Sequence, residues 1–259
     1  MKIKATVISF ILLASLSVCA QRSNTPRLPS VSVPVVRPQI VSTLPHDTLA
    51  FTQGFLCRGD YLYQSTGIVG RSSLRQIDRH SGEIQQKIDV PGVFGEGIAI
   101  LGDELVQLTW QEGVAIRYSF PDLENRGTFR YSGEGWGLTS DSQTFILTNG
   151  SDTLYLRDQN FSVQKKIPVT LDGKPLRNLN ELEYLNGKVY ANVFTQAFIA
   201  EIDLSSGVVT RIIDCRDLVQ REQPLNHEQV LNGVAYCGEQ ERWYLTGKEW
   251  NHIYLVEIP

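Results

Sequence analysis

From residue 51 onward, short apolar stretches alternate with Gly, Asp and Asn turns, and no segment sustains the 3.6-residue period of a long helix. The same strand–turn–strand pattern recurs. Gly54-Phe-Leu-Cys-Arg-Gly-Asp-Tyr-Leu-Tyr63 and Gly97-Ile-Ala-Ile-Leu-Gly-Asp-Glu-Leu-Val106 both read as an apolar strand, a Gly-Asp turn and a second apolar strand. Gly137-Leu-Thr-Ser-Asp-Ser142 begins a third copy, Leu182-Glu-Tyr-Leu-Asn-Gly-Lys-Val-Tyr190 carries a fourth, and Gly233-Val-Ala-Tyr-Cys-Gly-Glu239 begins a fifth. Strands further along each copy repeat as well. Ser73–Asp78 is followed by His80-Ser-Gly-Glu83, and Ala197–Asp203 by Leu204-Ser-Ser-Gly207, a strand, an Asp and a Ser-Gly turn. Four short strands per repeat is the pattern of a propeller blade, and each blade must bury its faces against its neighbours. The expected fold is therefore all-β, a five-bladed β-propeller over residues 43–259, with 216–229 as an irregular or short helical insertion. A β-sandwich is the alternative, and it explains the even period poorly.

The chain ahead of the repeats has two parts. Lys2 and Lys4 precede a stretch, Val7 to Val18, that is apolar apart from Ser9, Ser15 and Ser17 and closes on Cys19-Ala20. Residues 1–20 thus have the layout of a secretory signal peptide, which points to a periplasmic or secreted protein; a buried N-terminal helix is the alternative. The apolar run is short for a membrane span, and no later stretch is long enough for one, so no transmembrane segment is expected. A lipoprotein would instead keep Cys19 as a lipidated, membrane-tethered first residue, although Val18 before it is bulky for such a site. Residues 21–42 are rich in Pro, Ser and Val. Pro26, Pro29, Pro34 and Pro38 forbid a helix and spoil a central strand, leaving a tether or an extended edge segment.

The formal charge of -4 becomes more negative once Lys2 and Lys4 are removed with the leader. This mild acidity, with no Arg/Lys cluster interleaved with aromatics, argues against nucleic acid as a partner. After cleavage at Ala20, Cys57, Cys215 and Cys237 remain, enough for one disulfide and one thiol. Cys57 and Cys237 hold similar places in the first and last repeats and would meet where a ring closes; buried free thiols are the other reading.

Candidate chemistry follows from the ring. Inner strands line a central channel, so residues just before the repeat starts face one mouth: Gln53, Glu96, Trp136, Glu181 and Asn232. Phe51, Phe94, Trp110 and Phe194 lie near them in sequence, and Lys248 and Trp110 fall near the far ends of second strands, at the same mouth. Polar groups within an aromatic wall suit a small, partly apolar substrate group. Channels lined by polar residues that bind only water are the alternative. Gly-x-Ser-x-Gly, His-Glu-x-x-His and Walker patterns are missing, and His46, His80, His227 and His252 are scattered. Asp/Asn/Gly turns could hold a structural calcium, but no EF-hand spacing supports one.

Nine stretches in order resemble the plant and bacterial, papaya-type glutaminyl-peptide cyclotransferases: Phe51–Phe55, Ser65–Gly67 with Ser72–Arg75, Phe94–Ile98, Leu108–Trp110, Gly133–Thr139, Leu179–Glu183, Ala191–Val193, Leu231–Gly233 and Thr246–Lys248. The resemblance implies a five-bladed propeller that cyclises N-terminal glutamine of peptides or proteins to pyroglutamate and needs no cofactor or metal for catalysis; separately, a monomer is expected. It implies Glu96 as general acid/base, Gln53, Asn180 and Lys248 as polar site residues, and Phe51, Trp110 and Trp136 as pocket wall. Two places depart from the family pattern. Phe194 stands where a tryptophan is common, and Thr148-Asn-Gly-Ser151 replaces a Ser-Asp-Gly-Ser stretch. A noncatalytic propeller that binds peptides or cell-surface ligands is the competing reading, with a hydrolase third.

Overall fold

The computed structural model describes residues 28–238 and 241–259; the leader pattern of residues 1–20, including Cys19, lies outside them. Five sheets, each with four antiparallel strands, stand as blades around one axis; a short parallel strand extends the fourth to five, and Thr170–Leu171 with Lys174–Pro175 forms a separate small hairpin. The blades' inner strands are Thr52–Arg58, Gly95–Leu101, Leu138–Ser140, Leu179–Leu185 and Leu231–Cys237, and these touch one another in ring order. The repeat starts read from the sequence all fall in or beside these strands. A seven-residue helix, Arg216–Glu222, occupies the irregular insertion between the fourth and fifth blades.

The core is divided into wedges, one between each pair of neighbouring blades. Side chains alternate across a strand, so each inner or second strand feeds two wedges. In the second blade Ile98 and Ile100 face the first blade, whereas Ala99 and Leu101 face the third. Because both faces are buried, such strands read as unbroken apolar runs. Outer strands differ: Ile84–Asp89 and Asn125–Arg130 are mostly exposed.

Closure uses the N-terminal segment. Gln39–Pro45 pairs antiparallel with His252–Glu257 and becomes the outer strand of the fifth blade. This strand crosses the boundary expected at residue 43. The chain reaches it along the outside of the fourth blade, where Val35–Val36 adds a short parallel pairing to Val209–Asp214. The wedge between the fifth and first blades, around Phe55, Leu62, Tyr244 and Ile253, is the smallest of the five. There Cys57 and Cys237 form a disulfide with Cα atoms 5.5 Å apart, joining residues separated by 180 positions; Cys215 is a buried free thiol.

A cross-link closing so long a loop restricts the unfolded chain strongly. Replacing Cys57 and Cys237 together by Ser is expected to cost about 2–5 kcal/mol of stability. Guanidinium unfolding followed by circular dichroism checks this, and an unchanged midpoint would show that strand pairing alone secures the closure.

Candidate active site

An inner strand has a sheet neighbour on one side only. Its backbone groups on the channel side must therefore find partners across the ring. Gly97 N–H donates to the Trp136 carbonyl at 2.7 Å. Phe55 N–H and Val234 N–H donate to the two carboxylate oxygens of Glu181, at 3.2 and 2.7 Å. Gly233 N–H reaches Asn192 Oδ1 at 3.0 Å, and Thr148 Oγ1 donates to the Asn180 carbonyl at 2.8 Å. Such close approach leaves no room for side chains: a Cβ on Gly97 would stand 2.4 Å from Leu138 N, and one on Gly137 would overlap the Asn180 carbonyl.

The inner strands also slip register near their starts. Bulges fall between Thr52 and Gly54, Gly95 and Ile98, Leu179 and Leu182, and Leu231 and Val234. A bulge re-aims a side chain, and the polar residues in these gaps are Gln53, Glu96, Asn180 with Glu181, and Asn232. Four of the five inner strands thus turn polar groups into the channel at one mouth.

They open onto a cavity of about 360 Å³. Nine of the eleven residues expected at this mouth line it: Gln53, Glu96, Asn180 and Lys248 with Phe51, Phe94, Trp110, Trp136 and Phe194. Ile68 and Glu228, on loops, also line it and were not expected. Glu181 and Asn232, which the positional rule also selects, stand outside the cavity lining. Glu181 braces backbone deeper in the channel, and Asn232 Nδ2 donates to the Thr52 carbonyl and to Gln53 Oε1.

That last bond orients the site. With its carbonyl oxygen accepting from Asn232 at 3.2 Å, the Gln53 amide turns its nitrogen to Glu96 and donates to Oε1 at 3.1 Å. Glu96 is 3% exposed. Burial pushes its carboxyl well above the usual carboxylate range; the Lys248 ammonium opposes this, and the negative charges of Glu134 and Glu112 add to it. Burial lowers Lys248 to about 8, against the pull of Glu96 and Glu228. The Lys248 ammonium lies 4.7 Å from the centre of the Phe51 ring and 4.8 Å from that of Phe194, so two aromatic faces supply part of the solvation it has lost. Asn180 Oδ1 is buried and has no hydrogen-bond partner among the described residues.

The walls are tightly set. Phe51 meets Phe94 edge-on with centroids 6.1 Å apart, Phe94 leans on Trp110 at 5.6 Å, and Trp136 meets Phe194 edge-on at 5.8 Å. Glycines sit behind these rings: a Cβ on Gly67 would strike Phe94, and one on Gly150 would lie 2.7 Å from Trp136. The divergent stretch Thr148–Ser151 is therefore the seat of Trp136.

The chain matches the glutamine cyclotransferase family over residues 10–258. It is 37% identical over 227 residues to the glutaminyl-peptide cyclotransferase of Arabidopsis thaliana, a match covering 85% of this chain and 71% of the relative. The crystal structure of Myxococcus xanthus glutaminyl cyclase superposes with a TM-score of 0.83 at 34% identity, covering 87% of this chain and 98% of that one.

Gly97→Ala should force the second and third inner strands apart, lowering stability by about 1–3 kcal/mol. Urea unfolding measures it; a wild-type midpoint would mean that the strands can part freely.

Proposed function

The chain belongs to the glutamine cyclotransferase family, and we propose that Glu96 is the proton shuttle of its reaction. The chain catalyses cyclisation of N-terminal glutaminyl residues to pyroglutamate, releasing ammonia. The observation that supports the role of Glu96 is its place: a buried carboxyl at the mouth of the channel, held by Gln53, set in an aromatic cavity and opposed by one lysine.

The peptide's α-amine must attack the γ-carbonyl carbon of its own glutamine side chain. The attacking nitrogen has to be neutral, and the amide nitrogen has to leave as ammonia. A carboxylate facing an ammonium, and a carboxylic acid facing an amine, carry the same single proton. Burial of Glu96 favours the second arrangement, in which the nucleophile is already free. As the new C–N bond forms, the carbonyl π pair moves onto oxygen, where the Lys248 ammonium offers a positive charge in a water-poor site. The ring nitrogen then gives up one proton and the amide nitrogen takes one, with Glu96 passing it between them. The bond to the amide nitrogen breaks, ammonia departs and the lactam remains. The unpaired Asn180 Oδ1 is suited to accept a hydrogen bond from the departing amide N–H.

The walls supply the rest. A flexible side chain has to fold back on its own amine, and a cavity of about 360 Å³ bounded by rings favours the folded shape over extended ones. Export fits this reading, because the Cys57–Cys237 disulfide suits an oxidising compartment.

Glu96→Gln is expected to keep the fold and to lose about 100- to 10,000-fold in turnover. Circular dichroism alongside ammonia release from a glutamine-initiated dipeptide checks it, and near-normal turnover removes Glu96 from the role. Phe194→Trp should shift the Michaelis constant for several such dipeptides more than it shifts the melting temperature. An unchanged constant across the series would take Phe194 out of the substrate's contact.

A further inference from the structure

We infer that Glu134 is a positioning residue: by accepting hydrogen bonds from the indoles of Trp110 and Trp136, it fixes two pocket walls that come from different blades. The inference rests on the cyclase reading above for its kinetic consequences and on geometry alone for the clamp.

Trp110 follows the second strand of the second blade, Glu104–Thr109, and Trp136 precedes the inner strand of the third, Leu138–Ser140. Glu134 lies on the connection between these blades. Trp110 Nε1 and Trp136 Nε1 both donate to Glu134 Oε2 at 2.9 Å, and Gln111 Nε2 donates to Oε1 at 2.9 Å. Gly135 N–H donates to the Trp110 carbonyl at 2.9 Å, so the loop's backbone is pinned to the same tryptophan. One oxygen that takes both indole N–H groups sets the distance between the two rings. Trp110 needs this restraint because it is 37% exposed and could otherwise turn outward from the rim.

Glu134 also acts through its charge. Burial pushes its carboxyl up, but the hydrogen bonds from Gln111, Trp136 and Trp110 outweigh that and hold it below the usual range, so it stays ionised. Its negative charge, with that of Glu112, then favours the protonated form of Glu96, while Lys248 opposes both; the Tyr131 phenol, hydrogen-bonded to the Thr109 carbonyl, is the other titratable group close enough to feel Glu96. The residue thus joins the shape of the pocket to the proton held inside it.

Two substitutions separate these effects. Glu134→Ala removes acceptor and charge. Glu134→Gln removes the charge but can keep an oxygen at the Oε2 position, provided Gln111 turns its own amide over to match. Glu134→Ala is expected to lower kcat/KM for a glutamine-initiated dipeptide by about 10- to 100-fold, chiefly through KM. The indole N–H resonances of Trp110 and Trp136 in a tryptophan-labelled NMR spectrum should move and exchange faster, with those of Trp243 and Trp250 unchanged. Glu134→Gln should change KM little and shift the Glu96 limb of the pH–rate profile to lower pH, leaving the limb set by the substrate amine in place. In a Trp110→Phe, Trp136→Phe background, Glu134→Ala should cost much less.

Unmoved indole resonances in Glu134→Ala, or the same loss of kcat/KM with and without the indoles, would overturn the clamp. If Glu134→Ala fails to fold, the Glu134→Gln profile decides, and a Glu96 limb that stays put counts against the proposal. Wild-type protein that releases no ammonia from the dipeptide would overturn the cyclase reading instead, and the NMR comparison would still test the clamp.

Discussion

Five blades make a ring only if the innermost strands can approach the axis without leaving their free backbone edges unsatisfied. A buried N–H without a partner costs about as much as a lost hydrogen bond, and in a ring of edge strands that cost recurs at every blade. This chain meets it from within the channel. Glu181, on the fourth blade, gives one carboxylate oxygen to Phe55 N–H of the first blade and the other to Val234 N–H of the fifth. Asn192 Oδ1 and the Trp136 carbonyl likewise accept from the N–H groups of Gly233 and Gly97 on neighbouring blades, Thr148 Oγ1 donates to the Asn180 carbonyl of the fourth blade, and glycines let the strands come within reach. The apolar wedges between blades supply the bulk of the driving force, but it is these polar ties that let the wedges converge.

The same constraint produces the site. Where a strand bulges to free a backbone group for a cross-ring bond, the neighbouring side chain is turned toward the axis, and at one mouth the residues so turned are Gln53, Glu96 and Asn180. Aromatic rings then seal them from water, which makes each charge more costly and more effective. Inner strands hold Gln53, Glu96 and Asn180, whereas Lys248 and the aromatic walls sit just beyond strand ends, and Ile68 and Glu228 lie on loops. That is why a loop carboxylate such as Glu134 has to do by hydrogen bonding what strand pairing does for Glu96.

Much of this was legible in the sequence, for physical reasons that also explain where legibility stopped. The repeat was visible because inner strands need apolar residues on both faces and a glycine at the point of closest approach, so blades share a signature. Most of the outer closing strand, Gln39–Pro45, fell in the stretch read as a tether or an extended edge segment, because it buries little and has no apolar alternation to show. The positional rule selected Glu181 for the mouth, whereas the bulge between Leu179 and Leu182 gives that place to Asn180 and sends Glu181 deeper. Only the family resemblance indicated Asn180. Glu134 stood inside the Gly133–Thr139 stretch, but its partners are two indoles 24 and 2 positions away, a relation that exists only once two blades are side by side.

Glu96 and Glu181 show how one environment yields two roles. Both are carboxyls withdrawn from water near the axis, and burial pushes both well above the usual range. Their partners differ. Glu181 accepts from backbone N–H donors fixed by the fold on both oxygens, bonds that oppose the effect of burial, and it lies outside the cavity lining. Glu96 receives a single hydrogen bond, from a side-chain amide itself held in place by Asn232, and its counter-charge is a lysine cushioned on aromatic rings rather than locked against it. A substrate in the cavity can therefore exchange a proton with Glu96, whereas a proton on Glu181 would weaken the bonds that tie its blade to the first and the fifth. Chemistry settles on the buried carboxyl that faces the cavity, and the ring rests on the one that faces its own backbone.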